Sequence, residues 1–250
     1  MFEPKDDLAY LRDHRRVWAE KPILRRLYHE QFYARLLDAR APGSVNVEIG
    51  SGPGFMAEAD ERVWRTDILC SPYVHLAADA HRLPFGAGQV DNILGLDVLH
   101  HFNHPLNVLR ELDRVLRAGG RVILVEPYIT LFSRFIYTYL HQEVCDLNAR
   151  PWEDMPVFSQ DKAAFEGNAA IPYLLIERGR ETLRRVLPHW RLQTLERFSS
   201  LTYLLSGGFK PFSLLPGPLY GLLYGLERAT QPVWRSWAAL RALIVWEKAA

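Results

Sequence analysis

Residues 45–54 read Val-Asn-Val-Glu-Ile-Gly-Ser-Gly-Pro-Gly and decide the fold. An apolar strand ends here in the acidic Glu48, and glycines follow at positions 50, 52 and 54. Glycine has no Cβ, so such a loop can turn with positive φ and let backbone N–H groups approach a ligand closely. The stretch therefore predicts a strand that leads into a ligand-binding loop.

Two further strands are predicted after this loop, and each ends in a carboxylate. Residues 63–68 form the second strand, which ends near Asp67, and residues 74–79 form the third, which ends at Asp79. About eight residues separate Gly54 from the second strand, and about five separate that strand from the third. A full crossover helix needs a longer connection. We expect the first crossover helix to be short and the second to be absent.

A buried fourth strand and an amphipathic helix follow. The strand begins at Val90 and runs into a polar loop at residues 97–102. The helix is predicted over residues 105–117, because leucines recur at three- and four-residue spacing between Pro105 and the pair Gly119-Gly120. The remaining strands are predicted at residues 121–126, 190–198 and 242–246.

In this order the motifs resemble those of the class I S-adenosylmethionine-dependent methyltransferases, in the small-molecule, type 11-like branch. The branch pattern is acidic-x-Gly-x-Gly-x-Gly, Asp-Ala-x-x-Leu-Pro-Phe, an Asp followed by Val-Leu-His-His-Phe, and Arg-Val-Leu-x-x-Gly-Gly. The matching stretches are residues 48–54, 79–85, 91–102 and 114–120. The resemblance implies an α/β, Rossmann-like fold: a seven-stranded, mostly parallel sheet with an antiparallel last strand and helices on both faces.

The resemblance also implies S-adenosylmethionine as the cofactor. Glu48 would orient the loop and the amino-acid end of the cofactor. Asp67 would accept hydrogen bonds from the ribose hydroxyls, and Asp79 would hold the adenine amino group, with the Ala80 N–H donating to the ring. The loop residues against the methionine portion and the ribose would be Gly50, Ser51, Gly52 and Gly54, and those near the sulfonium Leu96 and Asp97. Because the crossovers are short, the competitors of Asp67 for the ribose are Glu58, Asp60 and Glu61.

Titratable side chains follow the fourth and fifth strands, on the side where open α/β sheets place substrates. The candidates for a general base toward an acceptor hydroxyl are His100, His101, His141 and Glu143. Histidine suits this work because its ordinary pKa is about 6.5. A structural role for the His-His pair is equally open, since methyl transfer by positioning alone needs no base. The histidines do not form the two spaced pairs typical of a zinc site, so no metal is predicted.

The 250 residues are predicted to form a single methyltransferase domain. Its parts are an N-terminal helical lid at 1–40, a cofactor-binding core at 41–127, a substrate-side insertion at 128–180 and a C-terminal half at 181–250. The lid is predicted as two helices, 6–20 and 23–39, with Tyr10 and Trp18 as candidate contacts to the cofactor. A further helix is predicted near residues 177–187.

The composition limits the partners. The net charge of +1 argues against a nucleic-acid groove, and two cysteines without an apolar leader favour a reducing, cytoplasmic setting. The apolar insertion at residues 201–237 is interrupted by Gly and Pro and cannot span a membrane. It is expected to form either a buried helical hairpin, or a wall for an apolar, aromatic or lipid-like acceptor, or a peripheral membrane contact.

The predicted activity is therefore methyl transfer to a small-molecule acceptor, most simply at oxygen. One alternative is a regulatory or scaffold protein that binds S-adenosylmethionine without transferring the methyl group. Another is a nicotinamide-dependent oxidoreductase, whose fingerprint is Gly-x-Gly-x-x-Gly. Here the third glycine comes one position early, and Pro53 removes a backbone donor that a pyrophosphate site would use.

Overall fold

The computed structural model describes residues 7–140, 143–158 and 165–249. In this part of the chain seven strands form one sheet in the order β3-β2-β1-β4-β5-β7-β6. The strands are β1 Asn46–Glu48, β2 Trp64–Asp67, β3 Leu76–Ala77, β4 Val90–Leu96, β5 Leu116–Pro127, β6 Trp190–Phe198 and β7 Arg241–Lys248. The first five strands are parallel, and β7 runs antiparallel to both β5 and β6. The predicted fold class is confirmed.

The strand order reverses between β1 and β4, and this reversal positions the site. The chain moves outward from β1 to β3 and then returns to the other side of β1. In open sheets of this kind a ligand lies outside the carboxyl ends of the strands, at the point of reversal. The glycine loop after β1 and the polar loop after β4 meet at that point.

The short crossovers predicted on either side of β2 are present. A single turn of 3₁₀ helix, Phe55–Glu58, connects β1 to β2, and no helix lies between Asp67 and Leu76, all of whose intervening residues the structure describes. Strand β3 is shorter than predicted. Strand β5 is longer, because Leu116 already pairs with Val90 and ends the preceding helix two residues early.

The helices of the described residues are α1 Asp7–Glu20, α2 Pro22–Leu27, α3 Ala34–Asp38, α4 Pro105–Val115, α5 Leu131–Tyr139, α6 Ile171–Tyr173, α7 Arg180–Val186, α8 Leu201–Ser206 and α9 Gly217–Ala238. The second N-terminal helix was predicted as one piece, but a π-helical turn at Tyr28–Tyr33 separates α2 from α3. The helix predicted near 177–187 begins earlier, at Ile171, and contains a second π-helical stretch at Leu174–Arg178. Sequence periodicity of 3.6 does not reveal such insertions.

Both faces of the sheet are covered, as predicted. Alternate residues of β5 enter two separate cores: Val122 and Leu124 pack on one face, and Ile123 and Val125 on the other. All four are buried, which is why this strand is continuously apolar. Helices α4 and α7 cover the first face, and the N-terminal helices with α8 and α9 cover the second. Burial of each such side chain stabilises the fold by roughly 1.5–3 kcal/mol.

The insertion at 201–237 forms α8 and most of α9, between β6 and β7. It is buried on one side only, through side chains such as Thr202 and Tyr220. No helix in the described ranges is long and apolar enough to cross a bilayer.

Candidate active site

The glycine loop adopts backbone conformations that only glycine accepts readily. Gly50, Gly52 and Gly54 have φ values of +62°, +48° and +74°. A Cβ on Gly50 would lie 2.2 Å from Val98 Cγ2, and one on Gly54 would lie 2.5 Å from the carbonyl oxygen of Tyr73. These two positions therefore require glycine for packing as well as for φ.

Gly52 differs, because the side that a Cβ would occupy is open. The nearest atom to that position is Leu11 Cδ2, at 3.8 Å. The N–H of Gly52 donates to Asp67 Oδ2 at 2.8 Å, and the N–H of Leu69 donates to Asp67 Oδ1 at 2.9 Å. Burial raises the pKa of Asp67, and these backbone donors act against that rise. Asp67 thus lies at the rim of the loop.

Two of the three acidic residues that compete with Asp67 are engaged elsewhere. Glu58 Oε1 accepts from the indole N–H of Trp18 at 2.9 Å. Asp60 pairs with Arg40 and Arg62 at 3.0 and 2.9 Å. This arrangement favours Asp67 as the acid beside the ribose, which stays a prediction.

Glu48 is a buried carboxylate with an unused acceptor. It ends β1 and is 4% exposed, and its Oε2 has no hydrogen-bond partner among the residues that the structure describes. Burial raises the pKa of Glu48 to about 7, and a hydrogen bond from Ser51 works in the opposite direction. The side chain is therefore poised to accept a cation or a hydrogen-bond donor from a bound molecule.

Asp79 follows β3 and is held by the next turn. Its Oδ1 accepts from the backbone N–H of His81 at 2.9 Å and lies 2.7 Å from His81 Nδ1. Burial alone would raise the pKa of Asp79, but the two interactions with His81 outweigh it and lower the pKa. Ala80 is buried between these residues and the core.

Asp97 follows Leu96, the last residue of β4, and has a positive φ of 54°. Non-glycine residues in this region carry strain that often marks a functional position. Asp97 forms an ion pair with Arg241 at the start of β7. Arg241 is buried and also donates to the hydroxyl of Tyr203, at 3.0 Å. The cation therefore fixes the carboxylate at the edge of the site.

His100 lies between two carboxylates. Its Nδ1 is 2.6 Å from Glu126 Oε2, and its Nε2 is 3.2 Å from Glu143 Oε2. Burial acts to lower the pKa of His100, but the carboxylates outweigh it and raise the pKa to about 10. A protonated imidazolium has no lone pair with which to accept a further proton. This geometry therefore disfavours the general-base role predicted for His100 and makes it a donor.

His101 retains the chemistry of a base. Its Nδ1 is 3.0 Å from the carbonyl oxygen of Glu166, so in the neutral ring Nδ1 donates and Nε2 carries the lone pair. The ring centroids of His100 and His101 are 4.1 Å apart. His101 and Glu143 therefore lie beside each other, next to His100. His141, the fourth predicted candidate, lies outside the described residues.

Two groups of side chains in the described ranges have the spacing of metal ligands. They are His100, His101 and Glu143, and Asp97, His100 and Glu126. Both groups depend on His100, whose two nitrogens already face carboxylates, and a protonated ring cannot ligate a metal. The prediction that the site holds no metal stands as a prediction.

Helix α1 lies over the glycine loop, where a lid was predicted. Arg15 Nη1 donates to the carbonyl oxygen of Pro53 at 2.7 Å. The Tyr10 ring is 4.1 Å from the Phe165 ring, and the Trp18 ring stacks on Phe55 at 4.0 Å. Tyr10 therefore borders the site, whereas Trp18 fixes α1 to the 3₁₀ turn behind the loop.

Lys21 joins α1 to α2 and is anchored. Its side chain is buried, and Nζ donates to the carbonyl oxygens of Gly208, Lys210 and Phe212 at 2.7, 3.0 and 2.8 Å. Burial lowers the pKa of Lys21. The segment before α9 thus anchors the junction between α1 and α2; that α1 acts as a lid stays a prediction.

Two residues of the site were missed from the sequence. Glu126 ends an apolar strand, as Glu48 does, and that shared pattern could have identified it. Glu126 is fully buried and accepts from the N–H groups of Val98 and Leu99 at 2.9 and 2.7 Å. Arg241 gave no such signal, because its partner Asp97 is distant in the chain.

Comparison with known proteins agrees with this geometry. A family model described as "Methyltransferase domain" matches residues 47–124. A 27-O-demethylrifamycin SV methyltransferase of Amycolatopsis mediterranei is 35% identical over 78 residues, which cover 31% of this chain and 25% of the relative. The human protein named "Probable tRNA methyltransferase 9B" is 28% identical over 103 residues, which cover 36% and 23%. The chain spans between 23% and 32% of the length of the curated relatives it matches.

Among solved structures, a SAM-dependent methyltransferase from Archaeoglobus fulgidus superimposes with a TM-score of 0.52 and 13% identity, over 88% of this chain and 94% of that one. The sheet order, the glycine loop and the matched domain define a class I methyltransferase. Residues 47–124 therefore carry a methyltransferase domain, and the structural relative from Archaeoglobus fulgidus is a protein that uses S-adenosylmethionine.

The residues present fit this cofactor. The unpartnered Glu48 Oε2 would meet the ammonium group of its amino-acid end, and the open side of Gly52 leaves room along the loop. The other residues that would hold it are Gly50, Ser51, Gly54, Asp67, Asp79, Ala80, Leu96 and Asp97. Bound there, the cofactor supplies an electrophilic methyl group on a sulfonium.

Proposed function

We propose that this chain transfers the methyl group of S-adenosylmethionine to an oxygen of a small acceptor that is apolar, aromatic or lipid-like. The contact of Tyr10 with Phe165, with ring centroids 4.1 Å apart, is the observation that carries this proposal. It joins α1 to the segment after β5 across the region beside Asp97, so an acceptor would be enclosed by the protein. An enclosed site suits a small molecule better than a folded RNA.

The walls of this region are aromatic. The pKa of Tyr10 is raised to about 12 by burial first and then by the charges of Glu143 and Asp97, which places the phenol near both carboxylates. The Tyr203 hydroxyl is near the same Asp97 through Arg241. Aromatic rings with a single polar tip bind flat or apolar acceptors and orient one polar group.

The polar groups have separate tasks. The His100 imidazolium is fixed by Glu126, and its Nε2 lies 3.2 Å from Glu143, so a positive charge is held beside His101. When the acceptor oxygen attacks the methyl carbon, the new C–O bond forms as the C–S bond breaks, and the bonding electrons remain on sulfur. His101 Nε2 would take the proton that the acceptor hydroxyl loses.

The test has two stages. Calorimetry with S-adenosylhomocysteine measures binding, and tritiated S-adenosylmethionine with fractions of cell extract measures transfer. We expect label in the lipid and apolar small-molecule fractions, removable by treatments that cleave methyl ethers or esters. Binding without label in any fraction would instead support the regulatory or scaffold alternative, and label confined to RNA would support the activity that the name of the tRNA methyltransferase relative describes.

A further inference from the structure

Helix α9 exposes a stripe of apolar side chains. Each residue of this stripe is between 51% and 76% exposed to solvent. Its members are Leu219, Leu222, Leu226, Val233 and Trp237. At about 100° per residue, their spacing of three, four, seven and four positions places them within an arc of roughly 60°. The stripe runs for roughly 27 Å along the helix axis, at 1.5 Å per residue.

Helix α5 packs against α9 and adds a second stripe. Leu131, Phe135 and Tyr139 are spaced by four residues and are all exposed, Leu131 by 79%. Single exposed apolar residues are ordinary on protein surfaces, but two adjacent helices that each expose a stripe of them mark an interaction surface. We call these two stripes the α5–α9 face.

The exposed charges of the two segments that carry this face have one sign. Within 131–140 and 201–238 the exposed charged residues are Arg134, Lys210, Arg228 and Arg235. The single acidic residue, Glu227, is buried and accepts from the N–H groups of Ser200 and Thr202 at 2.6 and 2.9 Å. The two segments therefore combine exposed apolar side chains with exposed charges that are all positive.

We infer that the α5–α9 face binds an anionic lipid bilayer at its surface. On α9 the apolar stripe lies on one side and Arg228 and Arg235 lie about half a turn away, the pattern of a helix that lies in the membrane interface. Trp237 and Tyr139, one in each stripe, are the residue types that favour the boundary between headgroups and acyl chains. A second copy of the chain fits less well, because a two-fold contact would bring the same cations of both copies together.

Vesicle flotation tests this inference without reference to methyl transfer. The wild-type protein is mixed with phosphatidylcholine vesicles, with or without phosphatidylglycerol. We expect flotation with the anionic vesicles and less with the neutral ones. Changing Arg228 and Arg235 to Gln should weaken binding to anionic vesicles by about fivefold for each cation that lies near the surface, and salt should do the same to wild type.

The apolar contribution has a matched control. The double substitution Leu222→Ser, Leu226→Ser should weaken binding to both vesicle types roughly tenfold or more, because two exposed leucines no longer enter the lipid. Met155→Ser should have no effect, since Met155 is as exposed as Leu222, 65% each, but lies outside the face. Retained calorimetric binding of S-adenosylhomocysteine shows that each variant is folded.

Three results would overturn the inference. One is wild-type protein that stays out of the lipid layer with both vesicle types. Another is a Met155→Ser protein that loses as much flotation as the leucine variant. The third is a wild-type dimer in sedimentation velocity that the leucine substitutions dissociate, without vesicle binding, since the face would then join two copies.

Discussion

The carboxylate of Asp67 accepts a hydrogen bond from the backbone N–H of Gly52, with 2.8 Å between nitrogen and oxygen. This bond ties the end of β2 to the middle of the glycine loop. The acid proposed to bind the ribose and the backbone proposed to lie against the methionine portion are therefore one unit, positioned before any ligand arrives. Such preorganisation reduces the ordering cost of binding.

Substitution of Gly52 by Val should abolish tight cofactor binding and leave the fold intact. The new side chain would enter the open side of the loop, where Leu11 Cδ2, at 3.8 Å, is the nearest atom of the described residues to the new Cβ. Gly88→Val is the matched control, because Gly88 also has positive φ, at +68°, and open space around it but lies away from the site. Calorimetry with S-adenosylhomocysteine compares the two. Equal affinity of folded Gly52→Val and wild type would show that the ligand does not lie on this loop.

Asp79→Ala should weaken cofactor binding by roughly tenfold to a hundredfold, because a charge-assisted hydrogen bond to the adenine amino group contributes about 1.5–3 kcal/mol. Asp154→Ala serves as the control, since Asp154 is an exposed carboxylate that pairs with Arg110. The measurement is the same titration with S-adenosylhomocysteine. The adenine assignment fails if the two variants bind alike.

Glu48 should make cofactor affinity depend on pH. Its pKa is raised to about 7 by burial, so in the unliganded protein it becomes protonated as the pH falls below that value. The neutral acid no longer attracts the ammonium group, and affinity should decline by up to about tenfold per pH unit. In Glu48→Gln the affinity should be lower at pH 8 and nearly independent of pH between 6 and 8. A wild-type affinity that is flat over this range would contradict the assignment.

The same carboxyl affects stability with a defined sign. Its folded-state pKa of about 7 exceeds the unfolded value of 4.5, so the folded protein binds the extra proton. The stabilisation is fully present below pH 4.5 and is lost as the pH rises through about 7. Denaturant unfolding of wild type and Glu48→Gln should therefore diverge with rising pH, by an amount on the order of 3 kcal/mol. Parallel curves would show that Glu48 is not a buried titrating group.

Substitutions of the two adjacent histidines should change the pH–rate profile in different ways. If His101 is the base, an ionisation on the acidic limb of kcat should disappear in His101→Ala. His100→Asn should retain that ionisation at a lower rate, because Asn is neutral and removes the positive charge that faces Glu126 and Glu143. An ionisation lost with His100 and kept without His101 would return the base role to His100.

Loss of His100 should also destabilise the fold. His100→Ala leaves Glu126 buried without its cation, which typically costs about 3–5 kcal/mol. Removal of the charge in the double variant His100→Ala, Glu126→Gln should recover part of this loss, and a double-mutant cycle of unfolding free energies measures the coupling. Additive effects of the two substitutions would mean that the 2.6 Å contact does not stabilise the protein.

The parts of this protein that the sequence predicts are those with local signals. The glycine loop, the acidic residue at the end of β1 and the helix α4 each lie within a short window that contains its own turn residues and periodicity. Strand β6 was predicted with the bounds observed, Trp190–Phe198. These elements could be predicted because strand alternation and helix spacing act over a few residues.

The contacts that set the charge of the site could not be predicted from local sequence patterns. His100 meets Glu126 across 26 residues, and Asp97 meets Arg241 across 144. Sheet topology brings these pairs together, and no periodicity within either segment indicates the partner. For the same reason the sequence identified His100 as a possible base by residue type, whereas its neighbours make it a cation.

The anchoring of Lys21 has a consequence for the rates of cofactor binding and product release. Because its ammonium is held by three carbonyl groups, we expect Lys21 to stay in place while α1 moves away from the glycine loop, a movement that would break the hydrogen bond from Arg15 to Pro53. If α1 is the lid that the sequence predicts, entry of the cofactor and release of S-adenosylhomocysteine both require this movement. We expect the association rate to lie below the diffusion limit, and release of S-adenosylhomocysteine, rather than chemistry, to set the pace of turnover.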